Sequence, residues 1–171
     1  FSVFAYTEIS NAALPAGQSF MLNMIDTARI RSDFARARSK GAEIIIVNFH
    51  FGTEYERDPN EYQKSIVRHA IKCGADIIVG QHPHVLQPIW QFKGSENCQL
   101  DTGIVAFSLG NFYAHQLGRY TNSGMILNIQ LEKNPESGEI RIANQYGIPT
   151  YTAIYQKDGK RQYLIVHSSL S

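Results

Sequence analysis

The stretch GAEIIIVNFH, Gly41 to His50, decides the fold class. Its four consecutive β-branched residues, Ile44 to Val47, leave no polar face at a period of two. Such a segment suits a strand covered on both sides in a parallel sheet. Gly41, just before it, stops a helix as a C′ glycine does. The pattern upstream, Met21 to Lys40, is amphipathic: Ile25, Ala28, Phe34 and Ala37 share one side, and Arg29, Arg36 and Arg38 lie mostly outside. The same grammar then repeats. Asp58-Pro59 offers an N-cap and an N1 proline for a helix running to about Lys72, with Tyr62, Ile66, Ala70 and Cys73 inward. Gly74 ends that helix, and Asp76 to Gly80 is the next buried strand. Phe1 to Tyr6 reads as a strand and residues 8–18, with Asn11, Pro15 and Gly17, as a loop. Residues 1–86 therefore form a βαβαβ unit of a layered α/β fold.

Residues 87–171 are strand-rich. Gln87–Phe92, Gly103–Leu109, Met125–Glu132, Glu139–Tyr146, Thr150–Gln156 and Arg161–His167 all read as strands. Asn134-Pro135 with Gly138, and Lys157-Asp158-Gly159, mark hairpin turns. Met125, Leu127, Ile129 and Leu131 alternate with polar residues, as in a half-exposed strand. The expected architecture is α/β, a single domain with mainly parallel strands early and antiparallel hairpins late.

Bulk properties narrow the function by exclusion. A net charge of +1, with no run of Lys and Arg interleaved with aromatics, gives no sign of a nucleic-acid partner. Apolar runs stop at four or five residues, too short for a membrane-spanning helix. Cys73 and Cys98 belong to no CxxC pair, and a disulfide between them stays open. The opening FSVFAY begins inside an apolar strand, whose backbone needs partners, and so reads as the interior of a longer protein.

Three histidines fall at the carboxyl ends of predicted strands: His50 after Ile44–Phe49, and His82 and His84 after Asp76–Gly80. Neighbouring parallel strands bring those ends to one edge, where α/β sheets place their ligands. Three imidazoles there form a plausible part of a transition-metal site. An extended backbone at His82, which Pro83 favours, points His82 and His84 the same way. Each histidine alone is equally at home as a solvated or hydrogen-bonded residue, and His69, His115 and His167 are read so. In Ser108-Leu109-Gly110-Asn111-Phe112 the plain reading is a turn with Gly110 or Asn111 at positive φ. The functional one is that Ser108 or, better, Asn111 hydrogen-bonds near the histidine edge.

NFHFGTEY (48–55), GADIIVGQHPHVLQP (74–88) and FSLGNF (107–112), in that order, resemble the bacterial capsule-synthesis CapA family, tied to poly-γ-glutamate production. That family is similar to the calcineurin-like metallophosphoesterases. The resemblance covers roughly residues 40–115, and this chain is similar to the C-terminal half of the layered phosphoesterase fold. It implies that His50 and His82 are ligands of one divalent ion and His84 of a second, with Mn, Fe or Zn as the metal. Glu54 matches the glutamate of the family's His-x-Gly-x-Glu-Tyr signature. It would orient a histidine or relay a proton, unless it is simply a solvated loop carboxylate. Phe51 stands where the family usually has tryptophan, and Gln81 where many members have a further histidine. The related enzymes also draw an aspartate, a bridging acidic residue and an asparagine–histidine motif from an upstream half. No Gly-Asp or Asn-His pair precedes His50.

Two functions follow from the resemblance. One is a two-metal phosphoesterase-like hydrolase in capsule polymer synthesis, with catalytic candidates Glu54 and Asn111 and metal candidates His50, His82 and His84, incomplete without upstream residues. The other is a non-catalytic scaffold that binds the polymer or its synthesis complex, with Tyr113, Tyr120, Tyr146, Tyr151 and Tyr155 as a binding face. No dedicated basic groove favours the scaffold. By the resemblance the protein works outside the cytoplasm, at the cell surface, held by an N-terminal anchor. The 171-residue chain is expected to self-associate through exposed strand edge.

Overall fold

The computed structural model describes residues 1–11, 21–116 and 118–167. Pro15 and Gly17 of the expected first loop lie outside them. The described residues form three layers: helices, a five-stranded sheet, then a three-stranded sheet. The central sheet runs β1(Ser2–Thr7), β2(Ile45–His50), β3(Ile77–Gln81), β5(Thr102–Ala106), β4(Ile89–Lys93) in spatial order. Every pairing in it is parallel except β4 with β5. The mixed α/β class read from the sequence is therefore what the chain adopts. Two strands beyond residue 86, β4 and β5, complete the sheet started by the βαβαβ unit.

The Ile44–Val47 run shows why two covers are needed. Ile45, Val47 and Phe49 face α1(Thr27–Ser39) and α2(Glu61–Cys73), packing on Ile30, Phe34, Ile66, Val67 and Ala70. Ile44 and Ile46 face the other way, toward Leu127, Ile129, Leu131 and Ile142 of the second sheet. Successive right-handed crossovers from β1 to β2 to β3 put both helices on one face. The hairpin strands are what cover the opposite face.

The second sheet is antiparallel, β6(Ser123–Lys133), β7(Ile140–Lys157), β8(Lys160–His167). The two strands expected over 139–146 and 150–156 are one strand, β7. It stays extended because β6 pairs along 140–151 and β8 takes over along 150–157. Both expected hairpin turns form, with Asp158 and Gly159 at positive φ.

Both helices start later than the sequence suggests. Helix α1 begins after Asp26, whose side chain accepts the Arg29 N–H at 2.9 Å. Residues 23–25 instead extend alongside the end of β1, where the Thr7 N–H donates to Asn23 O and the Ile25 N–H to Thr7 O, both at 2.8 Å. Ile25 thus precedes the helix and Ala28 is exposed, while Ile30 and Asp33 are buried. Helix α2 is capped by Asn60 rather than Asp58: Asn60 and Gln63 form a reciprocal capping box. Gln63 is fully buried, where its Nε2 donates to Gln87 Oε1 at 2.9 Å, and this rotates Tyr62 out to solvent. Gly41 and Gly74 end the helices as expected, both at positive φ.

Cys73 and Cys98 are free thiols. Among the described residues no helix is long and apolar enough to cross a membrane. Among the described residues only 23–25 run beside the outer edge of β1, at Thr7, and Phe1 and Val3 are exposed ahead of that contact.

Candidate metal centre

β2 and β3 pair in register up to His50 opposite Gln81, so both strands finish at one level. His50 is the last residue of β2, and His82 follows β3 directly. Gly80 is required on the way out: a Cβ there would lie 1.9 Å from the Phe107 carbonyl oxygen of β5's exit. The glycine lets the chain pass under that carbonyl and deliver His82.

Backbone geometry at the pair differs from the extended run expected from Pro83. His82 has φ 102° and His84 φ 60°, both left-handed. The tight turn presents the Pro83 carbonyl to the Tyr55 N–H at 2.8 Å, and the Gln81 carbonyl accepts from the Phe51 N–H at 3.1 Å. Those bonds tie the 51–58 loop to the histidine loop and outweigh the intrinsic preference before proline. Five non-glycine residues have positive φ among the described residues, and three are on these two loops: Tyr55, His82 and His84. Strain of this kind persists where surrounding structure enforces it, as at ligand sites.

The donor atoms of Glu54, His82 and His84 all lie within 4.8 Å of one another. Glu54 Oε1 is 3.8 Å from His84 Nε2. His50 stands just outside this trio, its ring centre 4.7 Å from that of His82. Partial burial, followed by the neighbouring His82 and His84, holds the His50 pKa below its usual value. Imidazole nitrogens beside a carboxylate are the donor set that suits a borderline divalent cation. The residues therefore fit a metal, with Glu54, His82 and His84 as the compact donors and His50 alongside.

Asn111 fixes one of these rings. Its Nδ2 donates to Gln116 Oε1 at 2.8 Å and to the Thr121 carbonyl at 2.7 Å. Its Oδ1 is thus the atom 2.9 Å from His84 Nδ1, which must carry the proton. The lone pair of neutral His84 then sits on Nε2, the nitrogen facing Glu54. Gly110, at φ 66°, makes the expected turn, which brings Asn111 to His84.

Residues 3–116 match the family of the bacterial capsule synthesis protein PGA_cap. The chain belongs to that family. It is 35% identical over 131 residues to the PGA biosynthesis protein CapA of Bacillus subtilis (strain 168), covering 77% of this chain and 30% of that protein. It is 37% identical over 101 residues to the capsule biosynthesis protein CapA of Bacillus anthracis, covering 58% of this chain and 23% of that one. The chain thus spans less than a third of the length of these two relatives. All five candidate residues, His50, Glu54, His82, His84 and Asn111, fall inside the stretch matched to the PGA_cap family.

Two members of the site were not singled out by sequence reasoning. Tyr55 stacks on His84 with ring centres 6.0 Å apart, and Gln116 links Asn111 to the Tyr55 hydroxyl. The only signal for Tyr55 was its place in HFGTEY; Gln116 had none. Two other histidines are hydrogen-bonded elsewhere: His69 Nε2 meets the Thr27 carbonyl at 2.9 Å, and His115 pairs with the Tyr163 hydroxyl. The five tyrosines considered as a binding face are all exposed, but Tyr151 and Tyr155 share one face of β7 and Tyr146 takes the other.

Proposed function

We propose that the protein is a metal-dependent hydrolase of capsule polymer synthesis, phosphoesterase-like in its chemistry, and that His50, His82, His84 and Glu54 are this chain's share of its metal centre. The observation that carries the proposal is the convergence of Glu54, His82 and His84 within 4.8 Å on a strained loop at the sheet's carboxyl edge. In the complete protein the centre takes two divalent ions, Mn, Fe or Zn, with further ligands from outside these 171 residues. Such ions supply polarisation of a phosphoryl or carbonyl oxygen and acidification of water.

The chain's own groups have separate tasks. His82 and His84 bind through neutral nitrogens. Asn111 is a positioning residue that keeps the His84 proton on Nδ1. Glu54, solvent-accessible and beside His84, either completes the ligand set or passes a proton to a leaving group. We propose further that the protein works outside the cytoplasm at the cell surface, on or beside the capsule polymer and its synthesis complex.

Elemental analysis of the longer protein, of this chain and of a His82→Ala/His84→Ala variant tests the reading. The expected result is near two equivalents in the longer protein and loss in the variant. Absence of bound metal from all three would discard it in favour of a polymer-binding scaffold.

A further inference from the structure

Tyr120 carries an unusual charge load. The Arg57 guanidinium carbon lies 4.6 Å from its ring centre and the Arg119 carbon 4.7 Å. The two cations are therefore no more than about 9 Å apart, the sum of those distances. Among the described residues neither of these forms an ion pair, although Glu56 and Asp58 flank Arg57 in the chain. Both are held by an aromatic face instead, which leaves their N–H forks unmatched. Tyr120 itself keeps a left-handed φ of 68°, costly for a bulky residue.

The cluster sits beside the histidine edge through short connections. Arg57 is on the loop that carries Glu54 and Tyr55. Tyr120 precedes Thr121, whose carbonyl accepts from Asn111, the residue that fixes His84. Gln116 closes the circuit, accepting from Asn111 and donating to the Tyr55 hydroxyl at 3.4 Å. The arginine pair is thus joined to the candidate metal centre by a short chain segment on one side and by the Thr121–Asn111–His84 hydrogen bonds on the other.

We propose that Arg57 and Arg119, mounted on Tyr120, form an anion subsite that takes a carboxylate or phosphate group of an acidic substrate. Guanidinium forks match either anion in a two-pronged geometry, and one such group placed between them relieves the repulsion of two like charges. The inference rests on the hydrolytic reading in one respect: it assigns the substrate's anionic group to the rim of the same edge.

The test is calorimetric titration of protein stripped of metal by a chelator and dialysed free of it. The two probes are inorganic phosphate and an oligomer of glutamate. Arg57→Gln and Arg119→Gln should each weaken binding of the better probe by roughly tenfold, as loss of a charge-assisted contact does. Tyr120→Phe, which keeps the ring, should bind as the parent does, and Tyr120→Leu should not. A preference for the oligomer identifies a carboxylate substrate, and a preference for phosphate a phosphoryl one. No binding of either probe, or equal binding by the Arg57→Gln/Arg119→Gln double variant, overturns the subsite. Anion binding does not require the metal, so the two readings fail separately. Lost metal uptake with intact anion binding removes the hydrolase, and the converse removes only the subsite.

Discussion

Replacing Asp76 should cost more stability than any other single polar substitution at the base of the sheet. The side chain is fully buried at the start of β3 and accepts four hydrogen bonds. Oδ2 takes Arg38 Nη2 at 2.7 Å and the Ile45 N–H at 2.8 Å; Oδ1 takes the Gln99 N–H at 2.7 Å and the Leu100 N–H at 3.0 Å. One carboxylate therefore ties the end of α1 and the beginnings of β2 and β3 to the segment entering β5. Asp76→Ala orphans all four donors. Ile45 and Leu100 are buried, so water cannot replace the acceptor, and each N–H costs about 1–3 kcal/mol. Gln99 is exposed, and Arg38 keeps the carbonyls of Ala42, Glu43 and Gly74, so neither adds much. Relief of the carboxylate's own desolvation offsets part of the loss. The net is about 3–5 kcal/mol, the range for breaking a buried pair. In a chain of this size that corresponds to a drop in melting temperature of roughly 10 °C. Asp76→Asn keeps one acceptor oxygen for Gln99 and Leu100 but turns a donor toward Ile45 and Arg38, so it should fall between the two. Thermal and urea unfolding of the three proteins measure this. An alanine variant melting within about 2 °C of the parent, or an asparagine variant as stable as the parent, would refute the reasoning.

Other expectations concern the histidine edge and the free strand. Asn111→Leu should reduce metal affinity by about 10–100-fold, as loss of a ligand's supporting hydrogen bond does, measured by competition with a chromogenic chelator; unchanged affinity would show that His84 needs no such support. Because His50 is held below its usual pKa in the folded chain, the unfolded chain takes up that proton first as pH falls. Metal-free stability should therefore be full above about pH 6.5 and decline as pH drops from there toward the lowered value. Melting curves of parent and His50→Asn across that window should converge, and parallel curves would show that His50 contributes nothing. The outer edge of β1 ahead of Thr7, with Phe1 and Val3 exposed and no strand paired to it among the described residues, should make the 171-residue chain associate as concentration rises; a monomer at every concentration in light scattering would show that the edge is inert.

The central sheet was legible in the sequence because burial on both faces leaves an unmistakable mark. Ile44–Val47 and Asp76–Gly80 have no polar alternation, and Gly41 and Gly74 punctuate the helices before them. The convergence of His50 with His82 and His84 was equally legible, since parallel strands in register must end together. Element boundaries were not, because distant partners set them. Gln63 caps and rotates α2 through Gln87, and the end of β1 keeps residues 23–25 out of α1. Nor did β7 announce itself as one strand, since its continuity depends on β6 and β8 sharing it. Local preference pointed the wrong way at His82, where the Pro83 carbonyl's bond to Tyr55 holds a left-handed turn that the sequence before a proline disfavours. Asp76 looked like the first residue of a strand and is the junction of four segments. The sequence alone determined which residues are apolar on two faces and where the chain must stop and turn. Tertiary structure decided which polar side chains meet, because a hydrogen bond between residues 27 positions apart, such as His84 to Asn111, leaves no periodicity to read.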